Sequence, residues 1–115
     1  MIFVIDDDRE MAECIVKATK APEVRIFSNA IEAMNALDAG IPDLIFLDIL
    51  LDGPDGFTFL NELSTYQDTE KIPVVIVTSL NLKAADLRPY GVVGVLNKDT
   101  MLPGEIYNYV RKYAR

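Results

Sequence analysis

Two apolar runs of this chain end abruptly in acid: Leu44-Ile45-Phe46-Leu47 runs into Asp48, and Ile2-Phe3-Val4-Ile5 runs into Asp6-Asp7-Asp8. Carboxylates crowded together repel one another and stay ionised when a divalent cation neutralises them. If the two runs lie side by side, Asp6, Asp7 and Asp48 imply a hard, oxygen-liganded ion. Magnesium takes one or two protein carboxylates and keeps waters or phosphate oxygens, so it suits this set better than a dedicated calcium cage. Later apolar runs also end in reactive groups, Thr78 and Ser79 after Val74 to Val77, and Asn97 with Lys98 after Val92 to Leu96. A carboxylate beside magnesium, a hydroxyl and a lysine is equipped to attack a phosphoryl group and give an aspartyl phosphate. Asp48 would attack, Lys98 and the metal would offset charge on the phosphoryl oxygens, and the Thr78 hydroxyl would donate a hydrogen bond to one of them.

Such a site needs strands that bring these ends together. Five are predicted, Ile2 to Ile5, Val24 to Phe27, Leu44 to Leu47, Val74 to Val77 and Val92 to Leu96, each rich in apolar or β-branched residues and flanked by breakers. Helical spacing lies between them. Met11, Ile15 and Ala18 mark a first helix that Pro22 closes, with Cys14 packed inside it. Ser28 is suited to cap a second helix that turns Ile31, Met34 and Leu37 to the sheet and ends at Gly40. Phe57, Leu60 and Leu63 mark the third, while Pro89 leaves room for only a short or irregular fourth helix between Leu82 and Tyr90. The last begins near Pro103 and carries Ile106, Tyr109, Val110 and Tyr113 on one stripe. This alternation is an α/β, (βα)₅ pattern, a doubly wound five-stranded parallel sheet in one domain over residues 1–115. Ligands of such sheets bind beyond the carboxyl ends of the strands, where every group named above falls.

Composition narrows the chemistry further. With 11 Lys plus Arg against 18 Asp plus Glu, the chain has a formal net charge of −7, which argues against direct contact with a nucleic-acid backbone. It has no histidine, which removes the commonest general base and any internal phosphohistidine. One cysteine cannot form an intramolecular disulfide, and a cytoplasmic location fits. No apolar stretch reaches the ~18 residues of a membrane span. The loop from Asp48 to Gly56 has acids at Asp52 and Asp55, but not at the spacing of an EF-hand. Acids after the first strand, where a dinucleotide fold would place glycines, also disfavour an anionic cofactor.

Five segments in order then bear a resemblance: Val-Ile-Asp-Asp-Asp at 4–8, Pro-Asp-Leu-Ile-Phe-Leu-Asp at 42–48, Asp55-Gly56, Pro-Val-Val-Ile-Val-Thr-Ser at 73–79, and Lys98. Together the chain resembles a CheY-like receiver domain of two-component response regulators. The resemblance implies strand order 2-1-3-4-5, Asp48 as phosphoacceptor, and Thr78 and Lys98 as its partners. It also implies Mg²⁺ held directly by Asp7, through water by Asp6, and by the backbone carbonyl of Leu50 as well as Asp48. Asp8 is left to cap the first helix. The implied partners are a histidine kinase or histidine phosphotransfer protein, a downstream protein, and a second copy through the face of the fourth helix, fifth strand and fifth helix.

Three departures from the family stand out. Asp99 replaces the proline that usually follows the lysine, which predicts a trans peptide there and a different aim for Lys98. Val95 replaces a frequent aromatic of the fifth strand. The segment from Thr78 to Lys98 is short and contains Pro89. These departures suit an alternative, a pseudo-receiver that binds partners without phosphorylation. A third class, a phosphatase acting on free substrates, is disfavoured by the lack of a substrate-binding extension. Apolar Leu50 and Leu80, beside the site, predict a long-lived phosphoryl group. Tyr107, Tyr109 and Tyr113 are expected to pack the last helix, with partner binding as the sharper reading.

Overall fold

The computed structural model of the protein describes residues 1–51 and 55–114. Five strands, β1 (Ile2–Ile5), β2 (Val24–Phe27), β3 (Leu44–Leu47), β4 (Val74–Thr78) and β5 (Val92–Asn97), form one sheet of order β2-β1-β3-β4-β5, and every pair is parallel. The three central strands are buried along their whole length. They are covered on both faces, which is why their sequences read as unbroken apolar runs. Edge strand β5 instead alternates between buried and half-buried residues.

The helices are α1 (Arg9–Thr19), α2 (Ala30–Leu37), α3 (Gly56–Thr65), α4 (Ala84–Leu87) and α5 (Pro103–Tyr113). Alternate strand residues feed two cores. Ile2, Val4, Leu44, Phe46, Val75 and Val77 pack with Ile15 of α1 and with Ile106 and Val110 of α5. On the other face Phe3, Ile5, Ile45, Leu47 and Ile76 pack with Ala33 and Leu37 of α2, and with Phe59, Leu60 and Leu63 of α3. Fully burying a side chain such as Phe46 contributes about 1.5–3 kcal/mol, so the sheet is the rigid part that fixes the positions of its own ends.

The strand boundaries agree with the sequence reading to within one residue, and the fourth helix is short, a single turn that continues as a 3₁₀ turn at Arg88–Tyr90. Helix faces differ more. Ile31 and Phe57 are exposed, and the buried positions are Ala30, Ala33 and Leu37 in α2 and Phe59, Leu60 and Leu63 in α3. Small alanines let α2 approach the sheet closely, a packing that a search for large apolar residues overlooks. The cap of α2 is Asn29, whose Oδ1 accepts from the Glu32 amide at 2.9 Å, not Ser28. Cys14 is exposed rather than packed. No helix among the described residues is long and apolar enough to cross a membrane.

Candidate functional site

Strand register builds the site. Ile5 pairs with Leu47, so the next residues, Asp6 and Asp48, leave the sheet side by side, and the Asp48 amide donates to the Ile5 carbonyl at 2.9 Å. Thr78 pairs with Asn97, and the Lys98 amide donates to the Thr78 carbonyl at 2.9 Å, which sets Lys98 beyond the end of β5. From there the Lys98 ammonium lies 2.8 Å from Asp48 Oδ2 and 2.9 Å from Asp6 Oδ2. No cis peptide occurs among the described residues, so Lys98 reaches the acids across a trans Lys98–Asp99 bond. The different aim expected from the missing proline is therefore not seen. Asp99 finds another anchor: its amide donates to Asn97 Oδ1 at 2.8 Å.

The acids are held from behind. Asp48 Oδ1 accepts from the Leu50 amide at 3.1 Å, and Asp6 Oδ1 from the Asp8 amide at 2.9 Å. Asp8 itself caps α1 through a 3.2 Å bond from the Met11 amide. Burial pushes the Asp6 carboxyl above its ordinary range, against the opposing pull of Lys98 and the Asp8 amide. For Lys98, burial pulls the ammonium down, yet its contacts with Asp48 and Asp6 outweigh that and hold it above its usual value. One lysine thus balances two buried acids.

Asp7 differs, since it is exposed and stands at the open side of the cluster. Carboxylate oxygens of Asp6, Asp7 and Asp48 all lie within 4.8 Å of one another, close to the ~4.2 Å that separates opposite oxygens around magnesium. Asp6 Oδ2 is buried with the Lys98 ammonium 2.9 Å away, so a cation entering the cluster would share this oxygen with the lysine. The residues present therefore fit a magnesium ion.

Thr78 is fully buried at the end of β4, and its Oγ1 accepts from the Leu80 amide at 3.3 Å. The side chains of Leu50 and Leu80 are both exposed. Asp52 and Pro54, which the sequence places near the site, lie outside the described residues. Sequence reasoning quoted Asp55-Gly56 but gave neither residue a task. Asp55 caps α3, its Oδ1 accepting from the Thr58 amide at 2.9 Å. At Gly56 a Cβ would stand 2.6 Å from the Ile49 Cα and 2.8 Å from the Asp48 carbonyl oxygen. Only glycine lets α3 begin against the loop that carries Asp48.

Comparison with known proteins shows the family and the fold. Residues 2–111 match the response regulator receiver domain. The chain belongs to that family. Over 82 residues it is 33% identical to the response regulator PleD of Caulobacter vibrioides, covering 69% of this chain and 18% of PleD. It therefore spans less than half the length of such curated relatives. The solved signal receiver domain of a signal transduction histidine kinase from Syntrophus aciditrophicus is 25% identical, with TM-score 0.78 over 96% of this chain and 86% of that one. The receiver domain of NtrX from Brucella abortus has the same fold, with TM-score 0.84 and 23% identity over 97% and 96% of the two chains.

Proposed function

We propose that this receiver, filling residues 1–115, is a phosphorylation switch in which Asp48 takes a phosphoryl group from a phosphohistidine of a histidine kinase or phosphotransfer protein. The observation that carries the reading is the Lys98 ammonium 2.8 Å from Asp48 Oδ2, amid three converging carboxylates. Asp48 Oδ attacks phosphorus, an O–P bond forms and the P–N bond breaks, its electron pair returning to the imidazole. Lys98 holds negative charge on the phosphoryl oxygens as it now holds that of Asp48. The Thr78 hydroxyl, whose oxygen already accepts from Leu80, keeps its proton to donate to a phosphoryl oxygen.

Asp6, Asp7, Asp48 and the Leu50 carbonyl would hold Mg²⁺, which supplies charge compensation when bound. The exposed Leu50 and Leu80 would slow water at the phosphoryl group and lengthen its lifetime, and a cytoplasmic setting fits the reading. Intact-protein mass after incubation with a small acyl phosphate tests it. Addition of one phosphoryl group that needs both Mg²⁺ and Asp48 supports the switch. A folded protein that gains no mass, with the same result for Asp48→Ala, would leave the pseudo-receiver, to which Val95 in place of the family's frequent aromatic and Asp99 in place of its proline point.

A further inference from the structure

The opposite end of the sheet carries a second feature that the phosphorylation chemistry does not use. A cleft of about 590 Å³ opens where the chain enters β4 and β5, bounded by Lys71 and Pro73 ahead of β4, Arg88 of the 3₁₀ turn, Val93 of β5, and Lys112 and Tyr113 in the last turn of α5. Three cations from three distant parts of the sequence converge there, and among the described residues no acid lines it. The chain has 11 Lys and Arg against 18 Asp and Glu, so a purely cationic cleft is not what random placement would give. Among the described residues none of the three forms an ion pair, and Lys112 rests over the Tyr113 ring at 5.4 Å.

We propose that this cleft docks an acidic segment of a partner protein, whose spaced carboxylates pair with Lys71, Arg88 and Lys112 while its apolar side chains lie on Pro73, Val93 and Tyr113. Like charges held together repel, and a partner's carboxylates relieve that repulsion when they arrive. Two features select a carboxylate-bearing segment over a compact phosphate. The α5 helix presents its carboxyl end here, whose partial negative charge opposes a concentrated dianion, and no helix amino terminus offers amides to cradle one. Arg88 meanwhile offers the planar fork that a carboxylate accepts in pairs. A second copy is a poor occupant. Its clustered acids Asp6, Asp7 and Asp48 lie at the other end of the sheet and could reach the cleft only head to tail, which builds a ring or an open filament and not a two-fold dimer. The inference is independent of the role of Asp48.

The test is an amide NMR titration of the whole chain with a ten-residue peptide of Glu and Leu, its Gln-for-Glu counterpart, and inorganic pyrophosphate. Shifts confined to the amides of residues 71–72, 88, 90–93 and 112–113, absent with the Gln peptide, support the proposal. So does a loss of affinity of tenfold or more in the combined Lys71→Glu, Arg88→Glu and Lys112→Glu variant, with less than twofold loss in a control carrying Lys17→Glu and Lys20→Glu. If charge reversal unfolds the chain, substitution of the same three residues by Gln replaces it, with a threefold loss expected. Stronger binding of pyrophosphate than of the peptide, equal loss in the control, or peptide shifts spread over all surface lysines would each overturn it.

Discussion

At the carboxyl ends of the strands, Asp6 and Asp48 are buried and share one lysine; at the amino ends, Lys71, Arg88 and Lys112 stand exposed around a cleft that no acid lines among the described residues. The contrast lies in solvation. A buried charge loses its hydration and must be matched inside the protein, so removing its partner costs several kcal/mol. Exposed charges keep their water, and an unmatched cluster costs the fold little. The first region therefore has its electrostatics settled by its own chain, whereas the second is free to have them settled by another molecule.

That contrast can be broken most directly at Lys98. Lys98→Met leaves two buried carboxylates without their cation and is expected to lower stability by about 3 kcal/mol in metal-free buffer. Millimolar Mg²⁺ should restore part of the loss. Urea unfolding with and without the ion measures both, and a loss below about 1 kcal/mol would mean that the two acids are effectively solvated. Next comes Gly56→Ala, which drives a methyl group into the Ile49 backbone. A cost of about 1–3 kcal/mol is expected, and slower phosphorylation of Asp48 should accompany it, because the same methyl group presses on the Asp48 carbonyl.

Asp99→Pro probes the family's usual residue. It removes the amide that donates to Asn97, at about 1 kcal/mol, and the Lys98 contact with Asp48 should persist, read as an unchanged phosphorylation rate. The smallest effect belongs to the other region. Single substitutions of Lys71, Arg88 or Lys112 by Ala should change stability by no more than about 0.5 kcal/mol. A larger loss in thermal unfolding at any of the three would mean that the cleft is structural.

The sheet was legible because buried strands of a parallel sheet must be apolar on both faces, and their breakers mark the ends. Adjacent residues of a helix point about 100° apart and residues two apart about 200°, so choosing Ile31 in place of Ala30 or Phe57 in place of Phe59 misplaces a face without changing the element. The convergence of Asp6, Asp48, Thr78 and Lys98 at one end also followed from parallel strands alone. The aim of Lys98 did not, since the missing proline suggested a change, whereas the bond from the Lys98 amide to the Thr78 carbonyl holds the residue at the strand end. Nor did the close approach at Gly56 or the cationic cleft, because both arise from residues brought together by the fold from segments without a shared motif.

Gly94 lies in β5, beneath α5. A Cβ there would collide with the Tyr109 hydroxyl, so Gly94 of β5 makes room for a phenol supplied by α5. Tyr109 stacks on Tyr113 at 6.4 Å, and burial raises its ionisation above the ordinary phenol range, which keeps it neutral across the working pH range. The chain has no tryptophan and five tyrosines. Two of its five tyrosines therefore sit together against the last strand, and ultraviolet emission, without any dye, includes a signal from that face.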